Sequence, residues 1–389
     1  MSELVINISN IISPLCYSIL RIEPYSSCSF RCIYCYARWY REGNEVKPRF
    51  NSLISFRTVA RKIKERKLRI IPFRLATLSD PFQPLELKVK MSRGILKIAL
   101  SNNIPLIINT KSDLILHEEI SKLILKLNDK NLILLQISIS TLDDGKAKIL
   151  EPRAPSPSKR LDVVEFFSKE NVPVAIRFQP FIPGTSDYPN LDHIISQFKD
   201  AGARHLIVES IRLTRREIRE WESNLNIKLE NWEPYQLSIP SGLEDLALYR
   251  LSHTLREKLF NRLMSIAKKY GLTFATCKEG YFHLHTSSDC CGISLLNQEK
   301  CILRPTLNEV YKLVKEHGPL SIEDIVNYLN EMDLLLGDKL NPYPKRIKKP
   351  LRNHEKKFIA ILKNNRILSH VTPSLTYIDG LIRLKHSSY

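Results

Sequence analysis

Along the first half of the chain the spacing of apolar residues changes period repeatedly. Short runs in which nearly every residue is apolar alternate with longer stretches carrying apolar residues three and four apart. These are the signatures of buried strands and amphipathic helices. The pattern predicts strands over 17–24, 69–77, 105–110, 132–140, 172–181 and 205–212. Between them it predicts helices over 53–67, 91–100, 116–127, 158–169 and 191–199. A strand that feeds a helix and then another strand returns to the same end of the sheet, so parallel pairing is expected. The order fits an α/β fold, an open or partial barrel of six strand–helix units. In such folds ligands sit at the C-terminal ends of the strands.

Beyond residue 212 the pattern changes. Residues 213–304 hold Trp221, Trp232, a long helical stretch over 243–270 and four cysteines, and read as a helical, cysteine-rich extension of the 1–212 core. Residues 305–389 read as a separate small domain. Thr306 with Glu309, and Ser321 with Asp324, are capping-box pairs. Each precedes an apolar face: Leu307, Val310, Tyr311 and Val314, then Ile322, Ile325, Val326 and Leu329. A helix near 353–363 follows. Asp379-Gly380 then separates two β-patterned runs, a hairpin signal. Helices followed by a hairpin resemble a winged helix-turn-helix.

Composition narrows the function classes. The 389 residues are 43% hydrophobic and 26% charged, ordinary for a globular protein. The longest apolar run, near 132–142, is too short and too interrupted to span a membrane. The N-terminus lacks a basic segment followed by an apolar one, so no secretory signal is expected and the cytoplasm is the expected location. The net charge of +18 is self-repulsive unless an anionic partner uses it, and nucleic acid is the commonest such partner. The bland alternative is a solvated surface. Ten Lys/Arg and one acidic residue, Glu355, fall within 339–366, and the helix at 53–67 offers a second basic face. Eight cysteines in a long chain without an export signal point to metal binding or chemistry rather than disulfides.

Three of them, Cys28, Cys32 and Cys35, lie within eight residues, C-x3-C-x2-C, in the loop after the first predicted strand. Zinc wants four ligands, and no fourth cysteine or histidine lies nearby. A purely structural 4Fe–4S cluster also usually takes four thiolates. Three ligands on a cubane leave one iron open, and that iron can chelate the amino and carboxylate groups of S-adenosylmethionine (SAM). Such a cofactor pair carries radical chemistry that the protein positions and shields.

The cysteine loop and an ordered series of segments resemble the radical SAM superfamily, in the branch related to spore photoproduct lyase and DNA repair photolyase-like proteins. The segments are EPYSSCSFRCIYCYAR, TLSDPFQPLE, NTKSDLI, SISTLDD, EPRAPSPSKR and QPFIPGTSD, all within about residues 22–212. The resemblance implies a radical SAM barrel, a 4Fe–4S cluster on Cys28, Cys32 and Cys35, and SAM. It also implies an electron donor such as ferredoxin or flavodoxin. In that frame Ser79 and Asp80, at the end of the second strand, are candidates for the SAM ammonium, and Lys111 for its carboxylate or a substrate phosphate. Ser138 and Ser140, alternating along the fourth strand, are candidates for the ribose. Arg153 is a candidate for a two-pronged bond to the carboxylate, and Tyr34 for stacking near adenine or the cluster. Each also has an ordinary reading: turn cap, salt bridge, barrel packing, surface arginine or packing aromatic.

Cys277, Cys290, Cys291 and Cys301 form a second group, with His283 and His285 between them. Three readings stand: an auxiliary iron–sulfur cluster, a structural zinc site, or a thiol at Cys290 or Cys291 that donates hydrogen to a substrate radical. His283 and His285, two apart, are expected to face one side of a strand. Cys16 is expected to be a buried small residue. The leading expectation is a radical SAM enzyme acting on nucleic acid, a lyase-like repair of a DNA photoproduct. The rivals are radical SAM modification of RNA or protein, and a non-catalytic iron–sulfur or zinc regulator that binds nucleic acid.

Overall fold

Seven strands pair in parallel, in the order β1-β2-β3-β4-β5-β6-β10. They are β1 (Arg21–Ile22), β2 (Phe73–Leu75), β3 (Leu106–Thr110), β4 (Ile133–Ser138), β5 (Val174–Phe181), β6 (His205–Ser210) and β10 (Thr273–Thr276). The computed structural model describes residues 4–40, 43, 45–225, 231–237 and 245–385. The six predicted strands are present, the first shortened to two residues, and a seventh from the extension lengthens the sheet beside β6. The fold is an α/β architecture with a parallel, barrel-like sheet and additional helices.

The strands are buried on both faces, which explains their near-continuous apolar runs. Leu106, Ile108, Ile133, Leu135, Val174 and Ile176 join the large core beneath the helices. Alternate residues turn inward: Ile107, Leu134 and Ala275 form one inner cluster, and Ala175, Ile207 and Cys277 another. Toward the strand ends the inward positions become polar, with Arg74, Asn109, Gln136, Arg177 and Glu209. The inner face is thus apolar at one end of the strands and charged at the other.

The early helices are α1 (Ile12–Leu15), α2 (Phe50–Glu65), α3 (Glu86–Val89), α4 (Met91–Asn102) and α5 (Glu118–Asn128). Next come α6 (Asp144–Leu150), α7 (Pro157–Lys169) and α8 (Leu191–Asp200). Their starts are chemically specified. Ser156 caps α7 with Pro157 in its first turn, and Asn190 caps α8. On α2, Phe56, Val59, Ala60 and Ile63 are buried, while Arg57, Arg61 and Lys64 face solvent.

A small antiparallel sheet follows β6: β7 (Arg212–Thr214), β8 (Trp232–Pro234) and β9 (Leu248–Leu251), with α9 (Arg215–Leu225) after β7. The long helix expected over 243–270 is shorter. It is α10 (His253–Lys269), and 248–251 are the strand β9 instead; residue 243, its expected start, lies outside the described residues. The reason is local. Tyr249 and Arg250 pair with Pro234 and Glu233, and the helix begins only after Ser252.

The C-terminal region holds α11 (Leu307–His317), β11 (Leu320–Ser321), α12 (Ile322–Glu331), α13 (Lys345–Leu362) and α14 (Asn365–Val371). The strands β12 (Leu375–Ile378) and β13 (Leu381–Leu384) end it. Both capping boxes form. Asp379 and Gly380, both at positive φ, turn the hairpin, and β11 adds to β13. The helix expected near 353–363 begins eight residues earlier, at Lys345. Its first turns tolerate Pro350 because Ile347 and Leu351 anchor them in the main core. A second core joins Leu307, Val310, Ile325, Phe358 and Ile382 to Leu15 and Phe282. The tail therefore shares apolar contacts with the parallel sheet's surroundings at two places. Among the described residues no helix is long and apolar enough to cross a membrane.

Candidate active site

A cavity of about 210 Å³ opens at the C-terminal ends of the parallel strands. The loop after β1 contributes Cys28, Cys32 and Cys35, and Tyr34 lies beside them. Thr77, Ser79 and Asp80 follow β2, Asn109 and Lys111 close β3, and Ser138 ends β4. Arg177 and Gln179 come from β5, Glu209 from β6, and Arg212 and Lys278 follow β6 and β10. One end of the sheet thus gathers residues from seven separate segments, as parallel α/β topology dictates.

The cysteine loop is shaped for enclosure. Arg31 takes a left-handed conformation, φ 52°, which reverses the chain between Cys28 and Cys32. The Cys35 amide then closes a turn on the Cys32 carbonyl at 3.2 Å. Among the described residues no three His, Cys, Asp or Glu side chains converge on one metal ion. A cubane needs no such convergence, because each thiolate takes a different iron. Three thiols around one cavity fit that donor set. Burial pushes the Cys32 thiol well above its ordinary range, Glu151 adding and Lys111 opposing.

The other candidates divide. Asp80 lines the cavity, yet its oxygens are engaged: Oδ1 accepts from the Phe82 amide (3.0 Å) and Thr110 Oγ1 (2.8 Å), and Oδ2 from the Lys111 amide (2.8 Å). It ties the β2 loop to β3, and burial raises its pKa against those bonds. Ser79 Oγ donates to Glu23 at 3.3 Å. Glu23, buried at the end of β1, also accepts from the Thr77 and Leu78 amides at 2.6 and 2.9 Å. Lys111 pairs with Glu151 at 3.1 Å, and its ammonium sits 5.6 Å from the centre of the Tyr34 ring.

Glu151 is the hub on this side. It accepts from Tyr34 and from Ser140 (2.6 Å) and pairs with the buried Arg160. Burial alone raises its pKa, but Lys111 and Arg160 outweigh that and hold it at about 2. Two expectations are corrected here. Ser140 does not share the cavity with Ser138, because β4 ends at Ser138 and the chain turns Ser140 onto Glu151. Arg153 is exposed and does not line the cavity. The arginine that reaches inward is Arg160, on the buried face of α7.

The second cysteine group is dispersed. Cys290 and Cys291 lie on the inner apolar cluster with Ile107 and Leu134, below the cavity. The Cys291 carbonyl accepts from Gln136 Nε2 at 2.7 Å. Leu134, Gln136 and Ser138 point inward in succession along β4, so the pair sits at the level of Leu134 and Gln136 while the cavity opens at Ser138. Neither thiol lines it. Cys277 is nearer, its sulfur 3.8 Å from an Arg177 nitrogen. Cys301 lies at the Ile70 bridge, its carbonyl held by Arg69. The zinc expectation therefore fails among the described residues, since these cysteines do not converge as zinc requires. No disulfide joins any of the eight cysteines.

His283 and His285 do not share a face. They flank the end of a 3-10 turn rather than lying on a strand. His283 faces Glu257 and Ser374, and His285 accepts from the Thr276 amide at 3.1 Å. Cys16 is buried as expected.

Arg177, Gln179, Glu209, Arg212 and Lys278 had no assigned role from sequence. Arg177, Gln179 and Glu209 leave a trace, a polar residue interrupting an apolar strand near its end, in VAIRFQPF and HLIVES; Arg212 and Lys278 lie outside those strands.

Comparison with known proteins bears on the fold and on residues 22–195. An uncharacterised protein of Methanocaldococcus jannaschii is 29% identical over 187 residues, 46% of this chain and 65% of that protein. An uncharacterised protein of Mycobacterium tuberculosis is 25% identical over 208 residues, 51% of this chain and 60% of that protein. The matches span less than two thirds of these curated relatives. The structure of spore photoproduct lyase complexed with dinucleoside spore photoproduct superposes with a TM-score of 0.52 at 14% identity, covering 67% of this chain and 77% of that one. That likeness speaks to the fold. Residues 22–195 match the family model described as the radical SAM superfamily. Over that segment, which runs from the end of β1 into α8, the chain is similar to the radical SAM superfamily.

Proposed function

We propose that this chain is a radical SAM enzyme whose Cys28, Cys32 and Cys35 hold a 4Fe–4S cluster, and that its substrate is nucleic acid. The observation that carries the first part is the meeting of those three thiols with Ser79, Asp80, Lys111 and Ser138 around one cavity at the strand ends. A cluster held by Cys28, Cys32 and Cys35 would supply one-electron reductive cleavage of SAM. The chain's own residues bind and shield. Asp80 and Glu23 rigidify the β2 loop, Ser79 and Ser138 offer hydroxyls, and Tyr34 forms a wall fixed by Glu151. The sheet is read as a partial six-unit barrel with β10 appended.

The nucleic-acid assignment rests on charge and on the tail. The chain carries +18. Lys345, Lys349 and Lys356 on α13 and Arg57 and Arg61 on α2 are exposed. Arg346 donates to Ser55 of α2, and Arg66 to the Pro342 carbonyl, so these helices adjoin. Counterion release from phosphates would drive binding there. The order helix, strand, helix, helices and hairpin supports a winged-helix-like reading of residues 305–389. Repair of a DNA photoproduct is the specific version we favour, by analogy with spore photoproduct lyase; a ferredoxin- or flavodoxin-type reductase would supply electrons.

Anaerobic reconstitution with iron, sulfide, dithionite and SAM tests the chemistry. The expected product is 5′-deoxyadenosine, absent in Cys32→Ala, with about four irons per chain for a single cluster. About eight irons would support the auxiliary-cluster reading of Cys277, Cys290, Cys291 and Cys301. No 5′-deoxyadenosine above blank would favour a non-catalytic regulator.

A further inference from the structure

The wall of the cavity formed by β5, β6 and β10 carries more positive charge than it can neutralise. Arg177, Arg212 and Lys278 line it, with Glu209 as their carboxylate. Arg212 and the Lys278 ammonium (3.0 Å) both pair with the same oxygen, Glu209 Oε1. Arg177 makes no ion pair among the described residues. Its guanidinium donates to the amide oxygens of Gln136 (2.8 Å) and Gln179 instead. Lys278 is 17% exposed and Arg212 13%, so water compensates little of this charge. Tyr235 packs its ring 4.3 Å from the Arg212 guanidinium, and the Tyr36 ring lies 5.4 Å from the Lys278 ammonium.

Two donors on this wall are also left over. Arg212 Nε and Gln179 Nε2 are buried and have no hydrogen-bond partner among the described residues. Buried donors are rarely left unsatisfied, and each costs stability unless a ligand supplies the acceptor. The opposite wall differs: Lys111 is matched by Glu151, and Asp80 by backbone amides. Cys32 has Lys111 as its neighbouring cation. The surplus therefore belongs to the strand ends across from the cysteine loop.

We infer that this wall is a docking site for a phosphate group of the substrate, held by Lys278, Arg212, Arg177 and the amide of Gln179. The inference deepens the nucleic-acid reading and rests on the cavity being the reaction site. A phosphate suits the wall better than a carboxylate, because three cations and two spare N–H donors call for several acceptor oxygens around one centre. Seated there, the phosphate would anchor the adjoining nucleotide against the cysteine loop, with Tyr36 beside it.

Isothermal titration of the reconstituted full-length chain with inorganic phosphate, and separately with acetate, tests this without any turnover. Lys278→Met and the near-isosteric Gln179→Glu are each expected to weaken phosphate binding at least about tenfold, as expected when one charge-assisted hydrogen bond is removed. Lys122→Ala, on an exposed face of α5, controls for phosphate adhering to the basic surface and is expected to match the parent chain. Gln179→Glu keeps side-chain volume, so it remains informative if Lys278→Met fails to fold. Unchanged binding in both wall variants, or no phosphate binding at all, overturns the site. Acetate binding as tightly as phosphate overturns the phosphate assignment in favour of a carboxylate-bearing substrate. Because SAM is omitted, failure of SAM cleavage and failure of this site are read separately.

Discussion

Arg74 directs a guanidinium nitrogen at the sulfur of Cys291, 3.0 Å away, beneath the floor of the cavity. The same guanidinium donates to Asn109 Oδ1 at 3.3 Å and Gln136 Oε1 at 3.2 Å, and Asn109 lines the cavity. A polar column thus runs from the reaction end of the sheet into its interior. The Cys291 thiol is drawn below the ordinary thiol range, chiefly by the hydrogen bond from Cys290, whose sulfur is 3.7 Å away, with Arg74 adding and burial opposing. Cys290→Ala and Arg74→Met should both move the Cys291 titration upward, the first more than the second. Native-state thiolate absorbance against pH measures it. An unmoved titration would show that the column does not set the thiol's state. Because the folded value lies below the unfolded one, this group's contribution to stability is present above the ordinary thiol range. It is lost as pH falls through the lower folded value.

Glu151 makes a second prediction. It is buried with Arg160, and both Tyr34 and Lys111 depend on it. Glu151→Gln leaves Arg160 as an unpaired buried cation, so a loss of about 3–5 kcal/mol is expected. Its pKa is held at about 2 against an ordinary 4.5. The stabilisation is therefore complete above the ordinary value and disappears as pH falls toward the folded one. Urea midpoints across that acidic range should fall with pH in the parent chain, and the part of that fall due to Glu151 should be missing from Glu151→Gln.

Gly280 couples the sheet to the tail. It sits at φ 76°, and a Cβ there would lie 2.6 Å from the Val371 carbonyl oxygen and 2.7 Å from Thr372 Cα. The Gly280 carbonyl also accepts from Thr372 Oγ1 at 2.6 Å and Ser374 Oγ at 2.9 Å. Backbone cannot yield as a flexible side chain can. Gly280→Ala should cost the roughly 1 kcal/mol of a left-handed alanine plus the clash. Limited proteolysis should detect the loosened tail as earlier cleavage within 305–385; an unchanged cleavage pattern would mean that this junction is dispensable.

The exposed lysines of α13 can be tested without disturbing the packing beneath them. Deleting the tail would strip Ile347 and Leu351 from the main core, so charge removal is the cleaner experiment. Lys345→Ala, Lys349→Ala and Lys356→Ala combined should reduce the salt slope of duplex DNA binding by roughly 0.9 for each phosphate that the chain no longer neutralises. A slope identical to that of the parent would remove α13 from the nucleic-acid surface.

Much of this architecture is legible in the linear chain. Buried parallel strands announce themselves as apolar runs, and α11 and α12 announce their starts through Thr306 and Ser321. The cysteine spacing is legible because its three members are local. The misreadings share one cause. Strand alternation groups Ser140 with Ser138, but alternation stops where the strand stops. The EPRAPSPSKR segment offers Arg153 as an arginine for the SAM carboxylate, yet the linear chain does not say which of its two arginines a helix turns inward.

The amino-acid order by itself determined the elements, the parallel sheet they imply and the trio of thiols in the loop after its first strand, since each depends on neighbours a few residues away. Which charges meet was decided only by the tertiary structure. Glu209 lies three residues from Arg212 but about seventy from Lys278 in the chain, and Glu151 draws on Tyr34, Lys111 and Arg160 from separate segments. Burial makes an ionic partner necessary, and only packing determines which partner arrives.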